Sequence, residues 1–404
     1  MKYQSTSGKK LTNLLMLVLV VLTVSCGSDS NNDGNSNRTS AASTPYVYNA
    51  PLSLNDGWQV SHLQDLAIEV APFEQLMEKI DDETNGYRYI DHVLVVKDNT
   101  IVFDELLRTE LDFADDWGNN KDLNLHILNS VTKSVNSALI GIAIEQGYIE
   151  DVNVKVHDYF QHKLPIANWN EEKANVTLDN WLNMRHGYQW DEWNVSYLEA
   201  SNQNSQMNRA NDPIQFLLDL PMASVPGNTF AYSTGVSYGL GRILSIASGQ
   251  SVTSFMEQYL FEPLGIEKYD YWTLDGQLHT GSALYLSARD MAKFGQLFLN
   301  NGQWLGQQIV PQAWVEKSST RQVDNGSWGY GNQWWMTAFK VGETDIDAFY
   351  ADGFGGQYIF VLPSIDAVVV FNGRAYQQGQ SEQYDVYRIM ANDILPALLT
   401  SKNK

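Results

Sequence analysis

With 404 residues, of which 44% are hydrophobic and 12% aromatic, the chain can bury a large core, and its composition predicts one large domain or two closely packed ones. Charged residues make up 18%, too few for a disordered chain or a long coiled coil. Lys and Arg number 26 against 47 Asp and Glu, so the formal charge of −21 disfavours binding to nucleic acid or anionic lipid, because phosphate is repelled.

The metal-binding residue types are sparse. The chain has one cysteine, which excludes a disulfide framework and a cysteine-based zinc site. The seven histidines are scattered, and even His157 and His162 would lie on different faces of a helix. We therefore expect no metal site.

The first residues have the pattern of an export signal. Three lysines precede the apolar run Leu11–Val24, which is short for a membrane span, and small residues flank Cys26. This pattern is similar to a bacterial lipoprotein signal, in which residues 1–25 are removed and lipid is attached to the Cys26 sulfur; an ordinary signal peptide or an uncleaved anchor is the alternative. We expect a lipid-anchored protein of the cell envelope, and Gly27 favours the outer membrane, facing the periplasm or the surface.

Hydrophobic periodicity predicts the elements that follow a polar tether at residues 26–50. In chain order they are a helix over Phe73–Ile80, a hairpin of strands over His92–Lys97 and Thr100–Glu105, helices over Leu125–Ile149, Val176–Met184, Ile214–Leu220, Gly235–Ser248, Val252–Leu260 and Asp290–Asn300, strands over Gln357–Leu362 and Ala367–Asn372, and a closing helix over Tyr384–Leu399. The helix over Leu125–Ile149 is apolar almost all round, which is typical of a helix inside a core.

Strands thus lie near both ends of the chain, and helices fill the middle. This order predicts an α+β fold, in which an antiparallel sheet from both chain ends is flanked by helices and a mainly helical domain is inserted. Residues 51–404 would form the folded domain, with its sheet-containing part at about 51–115 and 270–404 and its helical part at about 116–269.

Ser130-Val131-Thr132-Lys133 places a hydroxyl and an amine about one helical turn apart, on the same side of the long helix. Serine is a weak nucleophile until an adjacent base removes its proton. A lysine in an apolar environment has a lowered pKa and can be that base. The tetrad recurs near each chain end, where no core desolvates the lysine. The setting therefore selects Ser130 and Lys133 as a candidate catalytic pair, and a lysine that points to solvent is the alternative.

Two further segments carry candidate site residues. Tyr232 lies at the predicted start of a helix, where its phenol could relay a proton to a leaving group; a core tyrosine is the alternative, and Tyr330, in an aromatic loop, is a rival match. The glycine-rich segment Gly353–Gln357 precedes an apolar strand. Its glycines let the backbone approach a ligand, and the Gln357 N–H could form an oxyanion hole with that of Ser130; a glycine-rich turn is the alternative.

Together these residues resemble the serine β-lactamase and penicillin-recognising superfamily, in particular its class C-like branch of esterases and nylon-oligomer hydrolases. Its motifs, Ser-x-x-Lys, Tyr-x-Asn/Ser and Lys/His-x-Gly, correspond in order to Ser130/Lys133, Tyr232 and residues 354–356. The similarity runs from about residue 85 to residue 400. The connecting stretches that match are Asn129–Ser134, Phe261–Ile266 and Ser287–Gly295.

The resemblance implies a β-lactamase/transpeptidase-like fold and a serine hydrolase that cleaves an ester or amide through an acyl-enzyme, without a cofactor. Ser130 would be the nucleophile and Lys133 would share its proton. Tyr232 would be general base for acylation and general acid toward the leaving group. The backbone N–H groups of Ser130 and Gln357 would form the oxyanion hole. The implied partners are a small-molecule ester or amide and, through Cys26, a membrane.

Two positions depart from the family pattern. Thr234 stands where many members carry Asn or Ser, and Phe354 stands where β-lactamases and DD-peptidases carry Lys or His. That cation helps to hold a substrate carboxylate, and its loss would weaken carboxylate binding by about 1.5–3 kcal/mol. A small neutral ester or amide is therefore the expected substrate, and a β-lactamase or D-Ala-D-Ala carboxypeptidase-like enzyme is the alternative. Arg374 is a candidate substitute cation or simply an exposed arginine.

An excess of aromatic side chains near these motifs could line a substrate pocket or could be scattered in the core. The candidate pocket residues are Thr234, Phe354, Gly355, Gly356, Trp190, Trp193, Trp328, Trp334, Trp335 and Tyr350. The pair Asp191-Glu192 indicates a solvated loop rather than an acid/base pair, because adjacent side chains point apart.

Two other interpretations compete with a serine hydrolase of this family. Gly235–Gly239 matches the nucleophile elbow of α/β-hydrolases, but that fold needs alternating strands and helices, and only His279 follows Ser237. A lipid-anchored binding protein that keeps the fold without catalysis is the non-enzyme alternative. The presence of all three residues of the Ser/Lys/Tyr set argues for retained chemistry.

Overall fold

Strands from both ends of the chain form one large sheet. In this computed structural model, which describes residues 45–111, 122–376 and 380–400, the strands are β1 (Gln59–Val60), β2 (Ile90–Lys97), β3 (Thr100–Leu106), β4 (His126–Ile127), β5 (Asp270–Tyr271), β6 (Thr273–Leu274), β7 (Gln277–Leu278), β8 (Leu284–Leu286), β9 (Gln303–Trp304), β10 (Gln307–Gln308), β11 (Val323–Asp324), β12 (Gly329–Gly331), β13 (Trp334–Val341), β14 (Thr344–Gly353), β15 (Gln357–Leu362) and β16 (Ala367–Gly373). Nine of them form the sheet, in the order β1-β3-β2-β16-β15-β14-β13-β12-β11. All neighbours are antiparallel except β1 and β3. The predicted α+β class, with a sheet built from both chain ends, is confirmed.

Helices cover the sheet and fill the middle of the chain. They are α1 (Ala71–Asp81), α2 (Val131–Glu145), α3 (Glu171–Ala174), α4 (Leu178–Leu182), α5 (Gln203–Arg209), α6 (Pro213–Asp219), α7 (Thr234–Ser248), α8 (Val252–Met256), α9 (Glu262–Leu264), α10 (Ala288–Leu299), α11 (Gln312–Ser318), α12 (Gln380–Gln383), α13 (Asp385–Ile389) and α14 (Leu395–Thr400). A π-helical segment at Met390–Ile394 interrupts the predicted closing helix. None of the helices in the described part of the chain is long and apolar enough to cross a bilayer.

The sheet is a central layer between two cores. Strand β16 is buried along its whole length, as expected for a strand covered on both faces. Val368 and Val370 face one core, which also contains α2 and α10, whereas Val369 and Phe371 face a second core with α1 and the C-terminal helices. Helix α10 approaches β16 so closely that a Cβ on Gly295 would lie 2.7 Å from Val368. Helix α2, which carries the Ser-x-x-Lys tetrad, contributes to the same core as α10.

Helix α2 begins six residues later than the sequence predicts. The preceding residues of β4 pair with β8 instead, His126 opposite Leu286. Asn129 then adopts a φ of 45°, in the left-handed region that a right-handed helix cannot include. The prediction that the helix starts at Leu125 is therefore wrong, and Ser130 becomes its N-cap residue.

The segment around Tyr330, interpreted from sequence as an aromatic loop, belongs to three antiparallel strands, β12, β13 and β14. In β13, buried positions such as Trp334 and Met336 alternate with more exposed ones such as Trp335 and Thr337. This alternation is typical of a strand with one face in the core. Because bulky aromatic residues occupy both faces, the period of two is hidden in the sequence.

Candidate active site

The amino end of α2 opens into a cavity of about 370 Å³. Ser130 is the N-cap residue of α2 and lines this cavity. The positive end of a helix dipole favours negative charge that develops beside it. The described residues that line the cavity are Ser130, Trp193, Tyr197, Tyr232, Trp328, Trp335, Tyr350, Asp352, Phe354, Gln383, Tyr384 and Tyr387.

Lys133 lies one turn into α2 and is 2% exposed. Its Nζ is 2.9 Å from Ser130 Oγ, 3.0 Å from Thr234 Oγ1 and 2.7 Å from the carbonyl oxygen of Gly281. The carbonyl can only accept, and the Thr234 hydroxyl also accepts, because its own proton goes to Glu192 Oε1 at 2.8 Å. In the neutral amine, two N–H bonds are therefore directed to Gly281 and Thr234, and the lone pair faces Ser130.

The same environment changes the pKa of the Lys133 amine. Burial lowers this pKa to about 8, and the negative charges of Glu192 and Asp352 oppose the shift. A pKa near 8 leaves about a tenth of the amine neutral at pH 7, far more than the usual lysine pKa of about 10.4 would leave. Lys133 thus has both the position and the protonation equilibrium that a base for Ser130 needs.

Tyr232 is held between a turn and an aromatic wall. The backbone N–H of Ala231 donates to the carbonyl oxygen of Met184 at 2.8 Å. The Tyr232 ring lies nearly parallel to those of Trp193 and Trp335, with centroid distances of 5.2 Å and 5.8 Å. These contacts fix the ring in the wall of the cavity.

The phenol of Tyr232 is neutral and lies beside the Ser/Lys pair. The Lys133 Nζ is 5.0 Å from the ring centroid. Burial, together with Tyr330 and Glu192, raises the pKa of the phenol well above its usual range, and the neighbouring Ser130 hydroxyl opposes this rise only in part. A neutral phenol in this position can donate a proton.

Glu192 is a site residue that sequence reasoning missed. It is 1% exposed, so the prediction of a solvated loop at residues 191–192 is wrong for this side chain. Its Oε2 accepts hydrogen bonds from Trp190 Nε1 at 2.8 Å and from Thr234 N at 2.7 Å. Its Oε1 accepts from Tyr197 and from Thr234 Oγ1, both at 2.8 Å. Four donors thus satisfy the buried carboxylate. No local sequence pattern predicts these contacts.

The glycine-rich segment lies against the start of α2. Asn129 Nδ2 donates to the carbonyl oxygen of Phe354 at 2.7 Å, and a Cβ on Gly353 would lie 2.2 Å from the backbone oxygen of Leu128. Gly355 has a φ of 92°, and a Cβ there would lie 2.0 Å from a neighbouring tyrosine ring. Glycine is therefore required where the segment turns beside the nucleophile.

Gln357 begins β15 and is fully buried. Its Nε2 donates to the Gly373 carbonyl oxygen at 2.6 Å, and its Oε1 accepts from Asn372 Nδ2 at 3.2 Å. These bonds fix the start of the strand. Gln357 is not among the described residues that line the cavity, so an oxyanion hole formed by its N–H and that of Ser130 stays a prediction.

The structure separates the candidate pocket residues into three groups. Those that line the cavity are Phe354, Tyr350, Trp193, Trp328 and Trp335. Gly355 and Gly356 shape the adjacent loop, and the N–H of Gly355 donates to Gln383 Oε1 at 3.1 Å. Asp352 also lines the cavity, although no sequence pattern singled it out.

Three of the candidates are used inside the protein instead. Trp334 is fully buried, with its ring 4.5 Å from that of Phe298. Trp190 directs its indole N–H to Glu192, and Thr234 lies beneath the Ser/Lys pair. None of the three is among the described residues that line the cavity, so their assignment to substrate binding stays a prediction.

Arg374 does not supply the cavity with a cation. Its guanidinium donates to Asp91 Oδ1 at 2.6 Å, and Asp91, which is 0% exposed, also contacts His126 Nε2 at 3.1 Å. Arg374 thus neutralises a buried carboxylate, and the expectation of a substitute cation is wrong. The described residues around the cavity include no Lys, Arg or His.

The rival motifs are not placed for catalysis. Ser237 lies within α7, fully buried, and donates to Gln333 Oε1 at 2.6 Å, so no exposed elbow exists there. Tyr330 is buried in β12 against Phe230 and Trp335 and does not line the cavity. No group of three His, Cys, Asp or Glu side chains in the described ranges is arranged to hold a metal ion.

Known proteins share this arrangement of elements. The sequence profile of the Beta-lactamase family matches residues 88–391. The 6-aminohexanoate-dimer hydrolase of Paenarthrobacter ureafaciens is 24% identical over 273 residues, which cover 61% of this chain and 65%, slightly less than two thirds, of that relative.

Two solved structures show the same fold. EstCE1, a hydrolase with promiscuous acyltransferase activity, has a TM-score of 0.63 at 15% identity, covering 81% of this chain and 98% of its own. A penicillin binding protein from Bacillus halodurans has a TM-score of 0.58 at 17% identity, covering 78% and 98%. Since the family profile spans most of the chain, this protein belongs to the Beta-lactamase family.

Proposed function

We propose that the protein is a serine hydrolase that cleaves a carboxylic ester or amide through an acyl-enzyme on Ser130. The observation that carries this proposal is the position of the buried Lys133 Nζ, which lies 2.9 Å from Ser130 Oγ and is held by contacts to Thr234 Oγ1 and the Gly281 carbonyl oxygen. The similarity to a 6-aminohexanoate-dimer hydrolase and to EstCE1 supports hydrolysis of an amide or an ester.

In acylation, Ser130 Oγ attacks the carbonyl carbon as its proton passes to the neutral Lys133 amine. The carbonyl oxygen becomes an oxyanion at the positive end of α2. The intermediate collapses, the bond to the leaving oxygen or nitrogen breaks, and that atom takes a proton from Tyr232. Water then attacks the acyl-enzyme as the Tyr232 phenolate takes one of its protons. The bond from the acyl carbon to Ser130 Oγ breaks, Ser130 regains its proton from Lys133, and the carboxylic acid leaves.

The two proton-transfer roles follow from the pKa directions. The resemblance implied Tyr232 as the base for acylation. The pKa of its phenol is raised well above the usual range by burial, whereas burial lowers the pKa of Lys133 to about 8. We therefore assign the base to Lys133 and the acid to Tyr232.

A substrate carboxylate finds no cation among the described cavity residues, because Phe354 stands at the usual position of Lys or His and Arg374 pairs with Asp91. We therefore propose that penicillins and D-Ala-D-Ala peptides are poor substrates. Hydrolysis of nitrocefin should be slower than that of p-nitrophenyl acetate, and efficient nitrocefin turnover would favour the β-lactamase alternative.

The test of the mechanism is covalent labelling. A fluorophosphonate should add to Ser130, which peptide mass mapping can locate, and Ser130→Ala should lose both the adduct and p-nitrophenyl acetate turnover. Lys133→Ala and Tyr232→Phe should each lower kcat/KM by about a hundredfold or more. Ser254→Ala, an exposed serine, is the control and should label normally. A protein without an adduct at Ser130 would be a binding protein of the same fold.

A further inference from the structure

One carboxylate lines the cavity in the part of the chain that the structure describes. Asp352 lies near the end of β14 and lines the same cavity as Ser130. It forms no ion pair in the described ranges of the chain, and no Lys, Arg or His of these ranges lines the cavity. Glu192, the other acid near Lys133, accepts four hydrogen bonds and is satisfied within the protein. Among the described residues that line the cavity, Asp352 is the one acid, and it shares the nearby charge of Lys133 with Glu192.

The surroundings of Asp352 disfavour an isolated charge. Burial raises the pKa of its carboxyl to about 7, although the nearby Tyr358 hydroxyl and the charge of Lys133 oppose the rise. Removing a carboxylate from water is unfavourable unless a cation or several donors compensate. A cation that enters the cavity would supply the missing compensation.

The walls beside Asp352 are aromatic. Tyr350, Tyr384 and Tyr387 line the same cavity, and the Tyr387 ring lies 5.8 Å from that of Tyr350 and 6.2 Å from that of Tyr384. Tyrosine rings attract ammonium groups through their negative faces and remain neutral near a carboxylate. A carboxylate with several tyrosines around it is therefore complementary to an amine cation and repels an anion.

We propose that the substrate carries a protonated or quaternary amine, which binds at Asp352 and the tyrosines Tyr350, Tyr384 and Tyr387 while its ester or amide carbonyl lies at Ser130. This inference rests on the proposed hydrolase function and replaces the neutral substrate expected from the sequence. The absence of a cation at Phe354 disfavours an anionic substrate, and Asp352 then distinguishes a cationic substrate from a neutral one.

The test compares esters of equal shape and different charge. One pair is acetylcholine and the analogue in which a tert-butyl group replaces the trimethylammonium group; the other pair places the same groups on the acyl chain of p-nitrophenyl butanoate. In at least one pair, the cationic ester should have a kcat/KM about tenfold or more above that of its neutral partner. Asp352→Asn should reduce this ratio to about one. Asp347→Asn removes an exposed charge from the same strand and should preserve the ratio.

A ratio near one in the wild-type protein for both pairs, or a ratio that survives Asp352→Asn, would overturn the proposal. If none of the four esters is cleaved, the hydrolase function fails, and the subsite is judged by binding alone. Calorimetric titration of butyltrimethylammonium should then give an affinity about tenfold weaker for Asp352→Asn than for the wild-type protein. Equal affinities would reject the subsite.

Discussion

Thr234 connects Glu192 to Lys133, the proposed base, through two hydrogen bonds. The Thr234 hydroxyl donates its proton to Glu192 and accepts from Lys133. If that proton pointed to Lys133 instead, the lone pair of the neutral amine would turn away from Ser130. Glu192 is therefore a positioning residue that acts on the nucleophile through two side chains.

Glu192→Gln should lower the maximal rate by about tenfold or more, because the amide NH₂ would donate to Thr234 and release its proton toward Lys133. The negative charge of Glu192 raises the pKa of Lys133, so its loss should also move the acid limb of the pH profile to lower pH. The measurement is kcat/KM against pH for p-nitrophenyl acetate.

Glu199→Gln, an exposed acid of the same loop, is the control for this variant and should match the wild-type profile. A Glu192→Gln enzyme with a lower rate and an unmoved acid limb would contradict the assignment, since a purely structural defect has that signature.

The wild-type enzyme should itself depend on pH through Lys133. The amine is the base only when neutral, and burial lowers its pKa to about 8. The value of kcat/KM for a neutral ester should therefore rise as pH increases and level off above about pH 8. In the Asp352→Asn variant the rising part of the pH profile should shift to lower pH, because the negative charge of Asp352 raises the pKa of Lys133 and the variant lacks that charge. A flat profile from about pH 6 to pH 9 would exclude Lys133 as the base.

The proposed catalytic pair could be predicted from a local sequence pattern, whereas its supporting residues could not. Ser130 and Lys133 are close in the chain, and a helical turn is enough to bring them together. Glu192 and Asp352 are single acids, and burial by distant segments gives them their importance. No local pattern reports such burial, and the sequence therefore could not reveal them.

At the level of elements, α7 can approach α4 because its facing residue lacks a side chain. A Cβ on Gly239 would lie 2.4 Å from the ring of Trp181, which is fully buried in α4. This close packing fixes the helix that follows Tyr232. The glycines of the apparent nucleophile elbow thus serve packing.

Gly239→Ala should destabilise the protein by about 1–3 kcal/mol, because the Trp181 ring has no room to move. Urea unfolding followed by circular dichroism measures the change. Ile246→Ala, at a position of the same helix that is 43% exposed, should change stability by less than about 0.5 kcal/mol. Equal stability of Gly239→Ala and the wild-type protein would show that the contact relaxes without cost.

The elements that the sequence predicted well are those with one clear period. The hairpin of β2 and β3 and helix α10, with its N-cap Ser287, agree closely with the patterns. The start of α2 was misplaced because apolar residues continue into β4, whose partner β8 lies far along the chain. Apolar character alone does not separate a short buried strand from a helix.

At the level of the whole molecule, the folded unit starts at Pro45. Tyr48 closes the sheet beside β3, where its hydroxyl donates to the Val102 carbonyl oxygen at 2.7 Å and accepts from the N–H of Leu63 at 3.2 Å. Trp58 is 4% exposed and donates to the Arg289 carbonyl oxygen at 3.2 Å. The first described residues are thus part of the core.

A protein that starts at Pro45 should therefore keep the unfolding midpoint and esterase activity of the longer chain. Removal of a further segment through Trp58 should lower stability by about 3–5 kcal/mol or more, since it deletes a buried indole and the contacts of Tyr48. Differential scanning calorimetry of the two purified proteins measures the difference. If the shorter protein is equally stable, the segment from Pro45 to Trp58 does not contribute to the stability of the fold.

Cys26 lies outside the described residues, and its lipidation stays a proposal. Expressed in a bacterium with labelled palmitate, the full chain should incorporate label and sediment with membranes. Cys26→Ser should do neither. If the Cys26→Ser protein still incorporates labelled palmitate, the lipid is attached to another residue and the assignment to Cys26 is wrong.

The overall architecture was predictable because strands and helices segregate along the chain. The middle strands of the sheet were not, since β12 to β14 are rich in aromatic residues on both faces. Their position depends on pairing with β15, which only the folded chain defines.

The stacked indoles of Trp193 and Trp335 lie in the cavity wall, and Trp193 is 49% exposed. Indole emission changes when a nearby charge arrives or when water leaves. The protein therefore carries an intrinsic fluorescent reporter at the mouth of the cavity. Stopped-flow fluorescence can follow the arrival of unlabelled compounds there in real time, and a Trp193→Phe protein isolates the signal of one ring.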